Sequence, residues 1–130
     1  MNHKKNKLIQ LNTGQFQTRS NVMRSMLTNL VRSGQMITTP KRAKVLKAYA
    51  DSFFSRLVNT YTRYEDSKDG LREAIRLVKQ TIFTEAEWKK LITELLPKFQ
   101  SENKDSSFVA NYKLWYRKWD GVERILVKVM

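Results

Sequence analysis

The 130-residue sequence has the length of one folded domain, and a chain of this size can bury enough apolar surface to fold without disulfides or structural metal ions. It contains no cysteine, which excludes disulfides and thiolate metal sites, and its single histidine, His3, has no companion ligands. No apolar run approaches the roughly 20 residues of a membrane helix, and the polar residues after Leu8 and Ile9 are not typical of a secretory leader. We therefore expect one domain without a metal or other cofactor.

The positive charges are concentrated in the first part of the chain. The formal net charge is +13, and residues 1–50 contain ten Lys or Arg and no Asp or Glu, which gives +10. From Asp51 onward, fifteen cations against twelve acids leave only +3. Surfaces of soluble domains normally mix the two signs, because like charges repel. The acid-free stretch therefore predicts a polyanionic partner.

The first segment in chain order is a basic extension, residues 1–17. It is polar, it carries Lys4, Lys5 and Lys7, and it has too few apolar residues for a core of its own. We expect it to become ordered on a partner. A single α+β domain is predicted over residues 18–130.

This domain is predicted to begin with a helix that Ser20 caps and Gly34 ends. Its apolar residues recur at helical spacing and form a face for the core. They are Val22, Met23, Met26, Leu27, Leu30 and Val31.

A β-prone segment, residues 36–38, follows, and Thr39 and Pro40 then predict the start of a second helix. Threonine can cap a helix, and proline suits its first turn. Apolar residues three or four positions apart give this helix a buried face. They are Ala43, Leu46, Ala50, Phe53 and Leu57. The charged and turn-forming segment 65–70 is predicted to end the helix.

Cations occupy the start of the second helix, namely Lys41, Arg42, Lys44 and Lys47. The N-terminus of a helix is the positive end of its dipole, so cations there are disfavoured unless something else stabilises them. Three of the four are lysines that recur every three residues and project together. We interpret this group as placed for the phosphates of a partner.

Two further helices are predicted between residues 71 and 97. Apolar spacing indicates the first, over residues 71–82. Thr84 begins the second, and Glu87 three positions later completes a capping box, in which each side chain binds the other residue's backbone N–H. Pro97 is predicted to end this helix, because proline interrupts the helical hydrogen bonds.

The last part of the chain has the pattern of β-structure. Apolar and polar residues alternate over residues 108–117 and again over 124–129, and Asp120 and Gly121 between them are typical of a hairpin turn. The segment 36–38 can join this hairpin as a further strand. The predicted fold class is α+β, with a basic N-terminal extension, about four helices and a small, mostly antiparallel sheet with a C-terminal hairpin.

The hairpin is rich in aromatic residues, and two interpretations remain open for them. Trp115, Tyr116 and Trp119 are interleaved with cations, as in proteins that stack aromatic rings on unpaired bases. Alternatively, the rings pack on the helices as part of the core, with the cations in solvent. The sequence favours the second interpretation.

The sequence offers little for catalysis or for other uses of the basic segment. Glu87 and Glu94 are the only candidates for a paired-carboxylate site, and capping and solvation explain both, so we predict no enzyme. No Gly-rich phosphate loop or His/Cys metal spacing occurs. A nuclear-localisation run at residues 40–44 and a membrane-surface helix are weaker interpretations, because phosphate binding also explains the polar, basic extension.

The order of several short motifs resembles the bacterial large-subunit ribosomal protein family numbered seventeen. Leu11-Asn12 stands where that family has Leu-Asn-Arg, and Arg24-Ser25-Met26 is similar to its Arg-Asn-Met. Thr38-Thr39 followed by Arg42-Ala43-Lys44 is similar to its Thr-Thr and Lys-Ala-Lys. The segment KLITELLPKF, residues 90–99, and the segment WDGVERILVKV, residues 119–129, are similar to later parts of the family pattern.

The chain also departs from that pattern. Thr18-Arg19-Ser20 replaces His-Arg-Lys, and residues 106–111 replace Gly-Gly-Tyr-Thr-Arg-Ile. These departures indicate a divergent lineage or an organelle. The resemblance implies a non-catalytic protein bound to large-subunit rRNA near the exit of the nascent-chain tunnel, with neighbouring large-subunit proteins as further partners and no membrane. It implies a location on the cytoplasmic ribosome of a bacterium or, alternatively, on a mitochondrial or plastid ribosome.

Charge neutralisation by the extension and the first two helices is the predicted mode of RNA binding. The predicted phosphate contacts are Lys4, Lys5, Lys7, Arg19, Arg24, Lys41, Arg42, Lys44 and Lys47, with Thr38 and Thr39 as hydroxyl or backbone neighbours. The same cations would also suit a free DNA-binding or nucleoid-associated protein, which is the alternative hypothesis.

Overall fold

The computed structural model describes residues 16–102 and 107–130, with side chains from Ser20 onward. The elements in chain order are α1 (Phe16–Ser33), β1 (Gln35–Thr38), α2 (Pro40–Thr62), α3 (Ser67–Thr81), α4 (Glu85–Lys90), a π-helical turn (Leu91–Leu95), α5 (Leu96–Ser101), β2 (Val109–Tyr116) and β3 (Glu123–Val129). No helix in these two ranges is both long and apolar enough to cross a membrane.

The three strands form one antiparallel sheet in the order β1-β3-β2. Val127 of β3 lies opposite Met36 of β1 on one side and Asn111 of β2 on the other. The predicted α+β fold with a C-terminal hairpin is therefore confirmed, and β1 joins the hairpin as a further strand. The buried face of β3 consists of Ile125, Val127 and Val129, the alternating residues of the sequence pattern.

Four phenylalanine rings lie at the centre of the core, where α2, α5 and the start of β2 meet. The Phe54 ring is fully buried, with centroids 5.2 Å from Phe99 and 6.0 Å from Phe108, and Phe53 lies 5.7 Å away. Phe99 and Phe108 contact each other edge to face, with centroids 4.8 Å apart. The helical layer and the sheet are thus joined through one aromatic cluster.

Helix α1 ends as predicted but begins earlier than predicted. Gly34 has φ +76° and donates its N–H to the Leu30 carbonyl at 2.7 Å, which is a left-handed helix end. The helix starts at Phe16, so the prediction that Ser20 caps it is wrong. Serine costs a helix interior only about 0.5 kcal/mol relative to alanine, so a possible cap residue does not force a helix to start.

Pro97 does not end the helical segment, contrary to the prediction. The chain passes through the π-helical turn, in which the Leu96 N–H binds the Leu91 carbonyl, and continues as α5 to Ser101. Proline lacks an N–H and its ring clashes with the carbonyl four residues back, and a wider turn just before it relieves both problems. The continuation buries Leu96 and Phe99, which explains why the helix does not stop.

Gly70 lies where α3 crosses α2, rather than in the connecting turn that the sequence indicates. Helix α3 starts at Ser67, after Asp66 has capped it by accepting the Lys68 N–H at 2.9 Å. A Cβ atom on Gly70 would lie 2.5 Å from the backbone carbonyl oxygen of Tyr61 in α2. Only glycine therefore allows the two helices to approach this closely.

Replacing Gly70 with alanine is expected to lower the free energy of unfolding by about 1–2 kcal/mol. Overpacking costs about 1–3 kcal/mol, and a contact of 2.5 Å with a backbone atom belongs to the upper part of that range, about 2–3 kcal/mol. The better helix propensity of alanine offsets about 1 kcal/mol of that cost. Chemical denaturation with urea measures the change, with Arg72→Ala on the exposed side of α3 as the control, expected within about 0.5 kcal/mol of the parent. A Gly70→Ala protein as stable as the parent would contradict the close contact.

Candidate nucleic-acid interface

An open cleft of about 430 Å³ lies where β1 ends and α2 begins. Its lining residues come from β1 and the start of α2 on one side and from β3 and the hairpin loop on the other. They are Ile37, Thr38, Thr39, Arg42, Arg117, Glu123 and Arg124. Three guanidinium groups and one carboxylate line the cleft. Arg117 is ion-paired with Asp120, but Arg42 and Arg124 form no ion pair with any acid in the described residues, so the cleft favours an anion.

The N-terminus of α2 adds backbone donors to this cleft. Thr39 is the N-cap, with φ −80° and ψ 160°, but its side chain makes no capping hydrogen bond, so only the position of the predicted cap is correct. The first intrahelical bond runs from the Ala43 N–H to the Thr39 carbonyl at 2.9 Å. The N–H groups of Lys41 and Arg42 precede it and have no acceptor within the helix. Such groups, together with the positive end of the dipole, suit a phosphate.

Three of the predicted cations at the start of α2 are exposed. Lys41, Arg42 and Lys44 form no ion pair with any acid in the described part of the chain. Lys47 differs, because its Nζ binds Asp51 Oδ2 at 2.7 Å, while Asp51 Oδ1 accepts the Val109 N–H at 2.9 Å. The charge of Lys47 is thus partly neutralised by Asp51, which also links α2 to the start of β2 by its hydrogen bond to Val109.

Arg24, another predicted contact, is engaged inside the protein. Its Nε donates to the Thr81 carbonyl at 3.1 Å, and its guanidinium lies 4.2 Å from the centroid of the Phe83 ring. Both contacts hold α1 against the end of α3. Arg19 lies in α1, but its side chain is outside the described part. Lys4, Lys5 and Lys7 lie outside the described residues altogether.

Arg117 and Arg124 line the cleft, although neither was among the predicted phosphate contacts. Arg124 precedes a buried β3 residue, and Arg117 is one of the cations that interleave with the aromatic residues of the hairpin. Their approach to Arg42 depends on β3 pairing beside β1, with Ile125 opposite Thr38. That pairing joins segments far apart in the sequence, and alternation alone does not give its register.

Glu87, the first candidate for acid–base chemistry, forms a structural ion pair instead. Its Oε1 accepts from Arg32 Nε at 2.7 Å, and Lys90 Nζ binds the Arg32 carbonyl at 2.9 Å. The capping box predicted with Thr84 is wrong, because the Thr84 side chain makes no capping bond and the Glu87 carboxylate is directed to the guanidinium. A charged donor is a stronger partner than a neutral backbone N–H.

The second candidate, Glu94, is exposed on the π-helical turn. Within residues 16–102 and 107–130, no three acidic or histidine side chains converge in a way that could hold a metal ion. The described residues therefore form a cationic cleft, and they form no acidic cluster that could hold a metal ion.

The Arg32–Glu87 ion pair makes a prediction about acid stability. The hydrogen bond from Arg32 holds the pKa of Glu87 below its ordinary value of 4.5. A lowered pKa in the folded state means that the stabilisation is present above the ordinary value and is lost as the pH falls through the lowered pKa. Thermal unfolding of Glu87→Gln should therefore depend less on pH below about 4.5 than that of the parent. Glu94→Gln is the control, and identical pH profiles for Glu87→Gln and the parent would contradict the assignment.

The fold and the cleft define a class: a small, basic α+β protein with a cationic cleft at the junction of its helical layer and its sheet. Residues 22–130 match the family described as Ribosomal protein L17, and the chain belongs to that family. The resemblance found in the sequence is therefore confirmed.

Several bacterial proteins named "Large ribosomal subunit protein bL17" are similar to this chain. The protein from Fervidobacterium nodosum is 26% identical over 115 residues, which cover 86% of this chain and 87% of that protein. The protein from Nautilia profundicola is 27% identical over 114 residues, covering 85% and 84% of the two chains. The protein from Oenococcus oeni is 26% identical over 120 residues, covering 85% and 88%. The similarity is distant but extends over most of both chains.

Proposed function

We propose that the protein is a structural, non-catalytic constituent of the large ribosomal subunit and binds large-subunit rRNA. Membership of the L17 family and the names of the bacterial relatives support the ribosomal assignment. The cationic cleft at the start of α2 is the observation that carries the RNA-binding part. We further propose a place near the exit of the polypeptide tunnel, beside other large-subunit proteins. The bacterial cytoplasmic ribosome is the proposed compartment, with a mitochondrial or plastid ribosome as the alternative.

The cleft would hold the sugar–phosphate backbone by charge and shape. A phosphate seated there would meet the N–H groups of Lys41 and Arg42 and the hydroxyl groups of Thr38 and Thr39. The guanidinium groups of the cleft would supply the charge. These contacts read the path of the backbone rather than the bases, so the fit to a folded RNA surface would determine the binding site.

The remaining cations would extend this contact along the RNA. Lys44 is exposed on the next turn of α2, and the basic extension carries three lysines that precede α1. Each phosphate neutralised adds close to one unit to the dependence of affinity on salt. Binding through the cleft and the extension together should therefore weaken steeply as salt is raised.

Sedimentation of the native protein tests the proposal. A tagged full-length chain expressed in its own cells should migrate with the large subunit on a sucrose gradient at low salt and dissociate as salt is raised. Recovery in the soluble or nucleoid fraction would overturn the ribosomal assignment. Filter binding at matched salt, with folded rRNA fragments and duplex DNA, separates the two polyanions, and a clear preference for DNA would favour a free DNA-binding protein.

A further inference from the structure

We propose that the tip of the β2–β3 hairpin is a second RNA-binding element, which stacks unpaired bases on Trp115 and Trp119. The inference rests on the proposed function and deepens it. Each of these two tryptophan residues is 80% exposed, and Tyr116 beside them is 54% exposed. The rings therefore do not pack on the helices, which was the interpretation that the sequence favoured.

The hairpin tip is held in one conformation by hydrogen bonds within the loop. Asp120 accepts from Arg117 Nε at 3.0 Å, from Arg117 Nη2 at 2.5 Å and from the Val122 N–H at 3.1 Å. The Arg117 N–H binds the Val122 carbonyl at 2.8 Å, and Gly121 has φ +69° and donates to the Arg117 carbonyl at 3.0 Å. A fixed loop presents its aromatic rings without a large loss of conformational entropy on binding.

Trp119 is already covered on one side by a cation. The guanidinium carbon of Arg117 lies 4.7 Å from the centroid of the indole ring. The exposure of the ring leaves its other face open to solvent, where a nucleobase can stack. A guanidinium, an indole and a base in this order combine cation–π attraction with stacking.

Trp115 lies at an irregularity in the hairpin. Lys113 pairs with Ile125 and Tyr116 pairs with Glu123, so β2 has one more residue than β3 between these two pairs. A bulge of this kind bends a strand and re-aims the side chains within it. Trp115 lies within this bulge and is largely exposed, so its ring is accessible to a base.

The charge around the tip favours RNA over an apolar protein groove. Arg117, Lys118 and Lys113 lie among the rings, and the only acids in the hairpin from residue 107 onward are Asp120 and Glu123. Asp120 is ion-paired with Arg117, and Glu123 lies 3.9 Å from Lys113. Residues 107–130 contain five cations and two acids, so a net charge of +3 remains, which Lys118, Arg124 and Lys128 carry. Exposed aromatic rings interleaved with cations suit bases and phosphates together.

The tip is also continuous with the cleft, because Arg117 lines the cleft and covers Trp119. A strand whose phosphates lie in the cleft would thus bring its bases to the rings. Unpaired nucleotides are required, because bases inside an A-form duplex are stacked on each other and hide their faces.

Equilibrium binding of the full-length protein to two short RNAs tests the inference. The probes are an unstructured oligonucleotide of about 12 nucleotides and a hairpin-free duplex of equal length. Trp115→Ala combined with Trp119→Ala should weaken single-strand binding at least about 25-fold, because each stacked base contributes about fivefold or more to affinity. Duplex binding should stay within about twofold. Circular dichroism and the unfolding midpoint verify that the variant folds.

Two further variants sharpen the test. Trp119→Phe keeps a ring and should retain most of the single-strand affinity, whereas Tyr64→Ala removes an exposed ring between α2 and α3 and should have no effect. The parent protein should also lose tryptophan fluorescence on binding the single strand but not on binding the duplex.

The outcomes separate this inference from the proposed function. If the double variant binds both RNAs like the parent while subunit incorporation is normal, the hairpin inference is wrong and the proposed function stands. If the double variant binds both RNAs normally but no longer enters the subunit, the tip contacts a neighbouring protein, which also overturns the inference. If the parent binds neither RNA and never enters the subunit, the proposed function is wrong, and the hairpin inference that rests on it is wrong as well.

Discussion

Combining Lys41→Glu, Arg42→Glu and Lys44→Glu is expected to abolish incorporation of the protein into large subunits. The change replaces three exposed cations, which form no ion pair with the acids of residues 16–102 and 107–130, with three carboxylates beside the cleft. Each lost phosphate contact should reduce the salt slope of rRNA binding by about 0.7–0.9, so the three together should reduce it by roughly 2–3. Repulsion between the new carboxylates and the phosphates lowers the affinity further.

The same variant should be at least as stable as the parent. Lys41 and Arg42 lie in the first turn of α2, where carboxylates interact favourably with the helix dipole, by about 0.3–1 kcal/mol each, and the cations of the parent interact unfavourably. A stability that is unchanged or raised together with lost incorporation would show that the cations serve a partner. Gradient sedimentation and thermal unfolding measure the two effects.

A matched charge reversal on α3 is the control. Lys68→Glu with Arg72→Glu and Arg76→Glu changes the net charge equally, on exposed positions of a helix that also carries acids. This control should still enter the subunit. If both variants are excluded equally, net charge rather than the cleft governs assembly. If neither is excluded, the start of α2 is not the RNA contact.

Phe54→Ala is expected to have the largest effect on stability, a loss of about 3–5 kcal/mol. Phe54 is fully buried at the centre of the aromatic cluster, where it touches rings from α5 and the start of β2. The rings around it belong to three elements and cannot all collapse into the space, so a cavity would remain. For a domain of this length the loss corresponds to a fall in melting temperature of about 10–20 °C.

Calorimetry or circular dichroism measures this change. Phe54→Leu fills most of the cavity and should cost less than half as much, and Tyr64→Ala, at an exposed aromatic position, should cost little. Equal losses for Phe54→Ala and Tyr64→Ala would contradict the central place of the cluster.

Local sequence patterns predicted most of the elements, because their causes are local. The apolar spacing of α1, α2 and α3, the left-handed end at Gly34 and the alternation of β3 each depend on a few neighbouring residues. Three predictions of this kind were wrong where a distant contact outweighed a local preference. Glu87 is directed to Arg32 rather than to its own helix start, α3 begins within the segment assigned to the turn so that Gly70 can meet α2, and the helix continues past Pro97 because Phe99 belongs to the core.

Only the part of the candidate site that lies on α2 was predictable, because the rest depends on contacts between distant segments of the chain. The cations of α2 stand out in the sequence because no acid accompanies them. Their partners in the cleft, Arg117 and Arg124, come from the hairpin, and only the register of β3 beside β1 brings them near. For the exposed tryptophans the sequence left base stacking and core packing open and favoured the core, because alternation does not show whether the helices cover the whole length of a hairpin.

The order of strands in the sheet has a consequence for synthesis of the protein. β1 pairs with β3, whose Lys128 lies opposite Gln35, although four helices and a strand intervene. Pairing between such distant segments follows the formation of local structure. The cleft residues of β1 and α2 are therefore synthesised long before Arg117, Glu123 and Arg124, and the cleft cannot form until β3 has been made. If the cleft binds RNA as proposed, this contact can form only after β3 has been synthesised, so only completed chains would occupy the site.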